Sequence, residues 1–147
     1  FETIGFAKVA TSAKEAQAIG YLQKDDSIVV NRDYIISEAK AEVLSMSENY
    51  IKPDIETFKL PGKSGRLVLD GTLKGFVKSG KISEHDALIG RRLGYVLTGG
   101  DKGGPFTSVD EQYLLDIERE MFVSLAGEQK SIERIEYMLK RGKPLRN

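Results

Sequence analysis

The sequence predicts a mainly α-helical chain with one short strand, and three observations carry that prediction. Apolar residues recur at three- and four-residue spacing along most of the chain. Ser12, Asn31, Ser83 and Ser108 each stand just before such a run, where a side-chain oxygen can cap a helix start. Glycines close the runs at Gly20, Gly80, Gly99, Gly127 and Gly142. Only Ile28-Val29-Val30 reads as a strand, and no second such run exists to pair with it.

Ser12-Ala13-Lys14-Glu15 has the form of a capping box and starts a short helix that Gly20 ends. Asn31 then caps a helix over 32–47, with Ile35, Ala39, Val43 and Met46 on one face. From Tyr50 to Gly65 two prolines and two glycines break any regular period, which indicates a connector. Helical spacing resumes at Leu69, Leu73, Phe76 and Val77. A helix opened by Ser83 follows, its apolar face formed by Ile89, Leu93, Val96 and Leu97. The stretch 99–107 holds four glycines and a proline and reads as a mobile loop. Ser108-Val109-Asp110-Glu111 looks like a second capping box ahead of the strongest helix, with Leu114, Ile117, Met121 and Leu125 in its stripe and Leu115 and Phe122 beside it. A last helix carries Ile132, Ile135, Met138 and Leu139 and stops at Gly142.

Composition narrows the function classes. The 147 residues include 22 Lys and Arg against 22 Asp and Glu, so the formal net charge is zero. A nucleic-acid binder needs a basic excess to neutralise phosphates, and this chain lacks one. No apolar run reaches the roughly 18 residues of a membrane helix. Cysteine is absent and histidine occurs once, which leaves no material for disulfides, thiol nucleophiles or Cys-based zinc sites. That usage points to a cytoplasmic setting. The chain opens at Phe1 rather than at Met, which points to a piece of something longer.

Few residues could carry chemistry. The run Gly99-Gly100-Asp101-Lys102-Gly103-Gly104 holds glycines and a lysine, but its order is not that of a phosphate loop and it follows a helix instead of a strand. His85 falls on the apolar side of a helix start and is expected to cap or pack there. Glu118 lies between Leu114, Leu115, Met121 and Phe122, so the spacing predicts a buried carboxylate, either in a structural ion pair with Arg91 or Arg92 or serving as a catalytic acid. Lys140, Arg141, Lys143 and Arg146 form an acid-free basic tail, either a solvated helix end or an anion contact. From the residues alone, no reaction centre assembles.

Two stretches resemble a known family. Thr11–Leu22, the strand-like Ile28–Val30 and the helix after it are similar to the crotonase (enoyl-CoA hydratase) family. Ile82–Gly90, Asp110–Glu120 and Gly142–Asn147 resemble the C-terminus of bacterial fatty-acid β-oxidation proteins that fuse a 3-hydroxyacyl-CoA dehydrogenase to an enoyl-CoA hydratase domain. Gly20-Tyr21-Leu22 departs from the family's usual Gly-Leu-Val. The segments that in the family supply the oxyanion-hole amides and catalytic carboxylates have no counterpart here.

The resemblance implies that residues 1–49 end a crotonase-like core, 50–65 form a connector arm, and 66–147 form the C-terminal helical region of that α/β domain. It implies no catalytic residue in this chain. NAD and acyl-CoA would be bound by the longer parent, this region closing the acyl-CoA site and contributing to a homo-oligomer. Phe122 would then meet the adenine of coenzyme A, and Lys140, Arg141 and Lys143 its phosphates. A free-standing helical interaction module is the competing expectation.

Overall fold

The computed structural model describes all residues 1–147 and divides them into two units, Glu2–Asp54 and Ile55–Asn147, with Phe1 belonging to the second. Seven α-helices and two very short strands make the chain mainly α.

The first unit holds α1 (Glu2–Gly5), α2 (Ala13–Ala18), a 3₁₀ turn (Arg32–Tyr34) and α3 (Ile35–Ser47). Half of the expected box at α2 forms. The Glu15 amide donates to Ser12 Oγ at 3.1 Å, but the Glu15 carboxylate reaches one residue further back and accepts from the Thr11 amide and hydroxyl. Those two donors, the hydroxyl foremost, hold the Glu15 carboxyl below its usual range. Gly20 ends the turn at φ +85°, a conformation costly for any residue with a Cβ. Asn31 does cap, accepting from the Asp33 amide, but it caps the 3₁₀ turn; the α-helix expected over 32–47 begins at Ile35, after Tyr34, which gives it no side-chain cap.

Ile28–Val30 is not a strand. An isolated strand leaves its amides and carbonyls unpaired, and with no partner run the segment stays irregular, Val30 being 97 % exposed. The stripe Ile35, Val43 and Met46 of α3 is exposed too. No residue of this unit is buried; polar contacts such as Tyr21 Oη to the Lys8 carbonyl (2.6 Å) and Ser27 to Glu42 (2.7 Å) hold its turns.

The second unit is built from β1 (Thr57–Phe58), α4 (Gly62–Lys78), α5 (Glu84–Leu97), β2 (Val109–Asp110), α6 (Glu111–Ala126) and α7 (Gln129–Arg141). The strands pair antiparallel, Thr57 opposite Asp110 and Phe58 opposite Val109. One of them thus lies inside the stretch expected to be irregular, and the other just before the strongest helix. Because Val109 and Asp110 are extended in that ladder, α6 cannot start at Ser108. Asp110 is its cap and accepts from the Tyr113 amide at 2.8 Å.

Leu73, Ala87, Val109, Ile117 and Met121 form the buried core, with α5 packed between α4 and α6. The stripe on α4 and that on α6 point inward as their spacing predicts. On α5 the fully buried positions are instead His85, Ala87, Gly90 and Gly94. The missing side chains let α4 approach: a Cβ at Gly90 would stand 2.7 Å from Leu73 Cδ2, and one at Gly94 3.2 Å from Leu69 Cδ1. No helix is long and apolar enough to cross a membrane.

Candidate functional site

A connected set of half-buried polar contacts lies where the start of α5 meets α7 and the tail. Ser83 and Asp86 form a reciprocal capping box: the Asp86 amide donates to Ser83 Oγ at 3.1 Å and the Ser83 amide to Asp86 Oδ2 at 2.9 Å. The other Asp86 oxygen accepts from Arg134 Nη1 at 2.7 Å. Arg134 also donates through Nε to the Asn147 side-chain oxygen (2.8 Å) and through Nη2 to its backbone oxygen (3.2 Å). The Asn147 amide nitrogen in turn reaches Glu133 at 2.8 Å. One guanidinium thus ties helix start, last helix and tail together, using its planar fork in several directions.

Next to this pair, His85 is 5 % exposed and its Nε2 shares a 3.1 Å hydrogen bond with Ser131 Oγ. Burial foremost, then the cations Arg134 and Lys130, push its pKa down, while Glu128 and Asp86 oppose them. Burial acts to raise the Asp86 carboxyl, but the Ser83 amide and the Arg134 fork outweigh it and hold the group below its usual range. The expectation that His85 packs at a helix start is met.

The glycine-rich run is a packed knot, not a mobile loop. Gly99 and Gly100 take left-handed φ values, and both are buried. The amides of Gly99, Gly100 and Gly103 donate to the carbonyls of Val96, Tyr95 and Gly99, and the Lys102 amide to Tyr113 Oη. None of the four remains to receive a phosphate. Around the knot, Arg66 pairs with Asp101 at 3.2 Å and lies over the Tyr95 ring, whose hydroxyl donates to Asp101. Burial and then Asp101 raise the pKa of that hydroxyl.

Glu118 is exposed and pairs with neither arginine. Arg91 binds Asp70 on α4 at 2.9 Å, and Arg92 Nε is buried without a hydrogen-bond partner. The inward stripe of α6 is narrow, centred on Ile117 and Met121, so Glu118 turns to solvent together with Leu115 and Phe122. Glu118→Gln should therefore leave the urea unfolding midpoint unchanged; a marked drop would show that the carboxylate carries a structural contact.

Phe122 is 67 % exposed on α6. Lys140 stands in the last turn of α7 and pairs with Glu136 at 3.1 Å, whereas Arg141 and Lys143 are exposed and make no ion pair. No contact joins Phe122 to these cations. No three His, Asp or Glu side chains come together as a metal-binding group would need.

Comparison with known proteins gives one informative match. A "Probable 3-hydroxyacyl-CoA dehydrogenase" of Bacillus subtilis (strain 168) is 46 % identical over 149 aligned positions, which cover the whole of this chain. They cover 19 % of that protein. The chain thus spans about a fifth of the length of the relative it matches. No family model matches, and no solved structure does. A dinucleotide needs a strand leading through open glycine amides into a helix N-terminus, and the glycine knot here follows a helix and has the amides of Gly99, Gly100, Lys102 and Gly103 engaged, so these residues do not fit NAD. What the segment does present is exposed apolar helix surface and a cationic end.

Proposed function

We propose that this chain is part of a longer fatty-acid β-oxidation enzyme that joins 3-hydroxyacyl-CoA dehydrogenase to enoyl-CoA hydratase activity on a crotonase-like domain. On this reading the chain helps close the acyl-CoA site and make subunit contacts, and contributes no reacting group. NAD is held elsewhere in the longer protein, which works in the cytoplasm as a homo-oligomer. The observation that carries the reading is the identity along the whole chain to a fifth of a protein of the dehydrogenase kind. Exposed Ile36, Val43 and Met46 on α3, and separately Phe122 on α6 and Leu139 on α7, support it, because apolar side chains left open on a helix suit contact with further protein.

Phe122 then serves the adenine ring of coenzyme A, and Arg141 and Lys143 its phosphates, as a guanidinium fork and a point charge. Lys140 is the weakest member of that set, since Glu136 already engages it. In the longer protein, Lys143→Ala should raise KM for acyl-CoA roughly fivefold with kcat nearly unchanged, as the loss of one exposed charged contact worth about 1 kcal/mol requires. The effect should shrink as salt is added. Steady-state kinetics on crotonyl-CoA test both points. An unchanged KM after neutralising Lys140, Arg141 and Lys143 together would reduce the tail to a solvated helix end.

A further inference from the structure

The last helix is held in an unusual way. α7 segregates apolar from polar residues strongly, yet it contains no buried residue, and Ile135, Met138 and Leu139 lie open to solvent. Its attachments to α5 are polar: His85 to Ser131, and Asp86 to Arg134, which also grips Asn147. We propose that these two pairs form an acid-released latch fixing α7 and the tail against the start of α5. The proposal does not depend on the acyl-CoA reading.

The neutral imidazole is what the latch accommodates. The groups facing His85 are Asp86 on its own helix, Lys130 and Arg134 on α7, and Glu128 in the turn before α7. Two cations oppose two carboxylates, but one carboxylate, Asp86, is already committed to Arg134 at 2.7 Å. A proton added to His85, itself buried, therefore places a further cation beside Arg134 and the exposed Lys130. When latched, His85 titrates below the ordinary value of 6.5; released, it returns to it. Below that value the released form binds more protons, so acid favours release, and above it both forms are neutral and the latch is at full strength. Asp86, held below its own ordinary 3.8, stays ionised throughout this window and adds no slope.

Hydrogen exchange in the intact protein that carries this chain tests the latch. The readout is protection of α7 divided by that of α4 in the same sample, so the chemical pH dependence of exchange cancels. Between about pH 7.5 and about pH 5.5 the ratio should fall roughly threefold or more. His85→Gln, which keeps a hydrogen-bonding group but cannot gain a proton here, should abolish the fall. Lys130→Ala should shrink it, because one repelling cation is gone while the backbone carbonyl that meets Asn147 remains. If His85→Gln unfolds, shown by lost protection in α4 and α5, the Lys130 variant decides alone. A ratio independent of pH in the wild type overturns the proposal. So does a fall that persists in His85→Gln, or one that Lys130→Ala leaves unchanged.

Discussion

Gly62→Ala should lower the stability of the 55–147 unit by about 3 kcal/mol, the range reached when a disfavoured left-handed backbone conformation and a steric overlap coincide. Gly62 sits at φ +60° at the start of α4. A Cβ there would overlap the Gly103 carbonyl oxygen, with the carbonyl carbon 2.7 Å away. Both obstacles are backbone, and the backbone is fixed, since the Gly62 amide donates to the Thr98 carbonyl at 2.9 Å. No rotamer change relieves the clash. Gly71 is the control, for it lies in the interior of α4 with nothing within 4 Å of the place a Cβ would take. Gly71→Ala should stabilise by up to about 1 kcal/mol, the helix-propensity difference. Urea unfolding of the two variants should move the midpoint in opposite directions, and equal tolerance at both sites would show that the knot yields.

The 147-residue chain alone should turn over neither crotonyl-CoA nor 3-hydroxyacyl-CoA with NAD, whereas the longer protein should do both. Hydration needs an acid–base pair facing two donors that stabilise a thioester enolate. The chain's one histidine is buried against Ser131, Asp86 is engaged by Arg134, and Asp70 is shared between Lys74 and Arg91. Saturable hydration by the pure chain, measured as loss of the enoyl absorbance, would overturn the reading of this segment as a non-reacting part.

Much of the helical plan was legible because caps and periodicity are local. Ser83, Gly80 and Gly142 act where their spacing places them. What failed depended on partners distant in sequence. The two-residue ladder displaced the cap of α6 from Ser108 to Asp110, and the β-branched run at Ile28 found nothing to pair with. The buried side of α5 was hidden for another reason. Gly90 and Gly94 carry no hydrophobic signal, and their value lies in the room they leave for Leu73 and Leu69. Likewise no local pattern marks Arg134, because only the folded chain brings Asp86 and Asn147 to it. The basic tail was visible as an acid-free run, but its assignment to coenzyme A phosphates, like that of Phe122 to the adenine, came from family resemblance.

The small ladder between Thr57–Phe58 and Val109–Asp110 also sets an order of events as the chain folds. It joins positions about 50 residues apart, and the α4–α5 hairpin and the glycine knot lie between them. Contacts inside that hairpin are close in sequence and form early, whereas the ladder must wait for the ends of a long segment to meet. Folded beforehand, the hairpin shortens the effective gap, so the closing step costs little entropy. The strands should therefore close last, as a clasp on a helical pair already assembled.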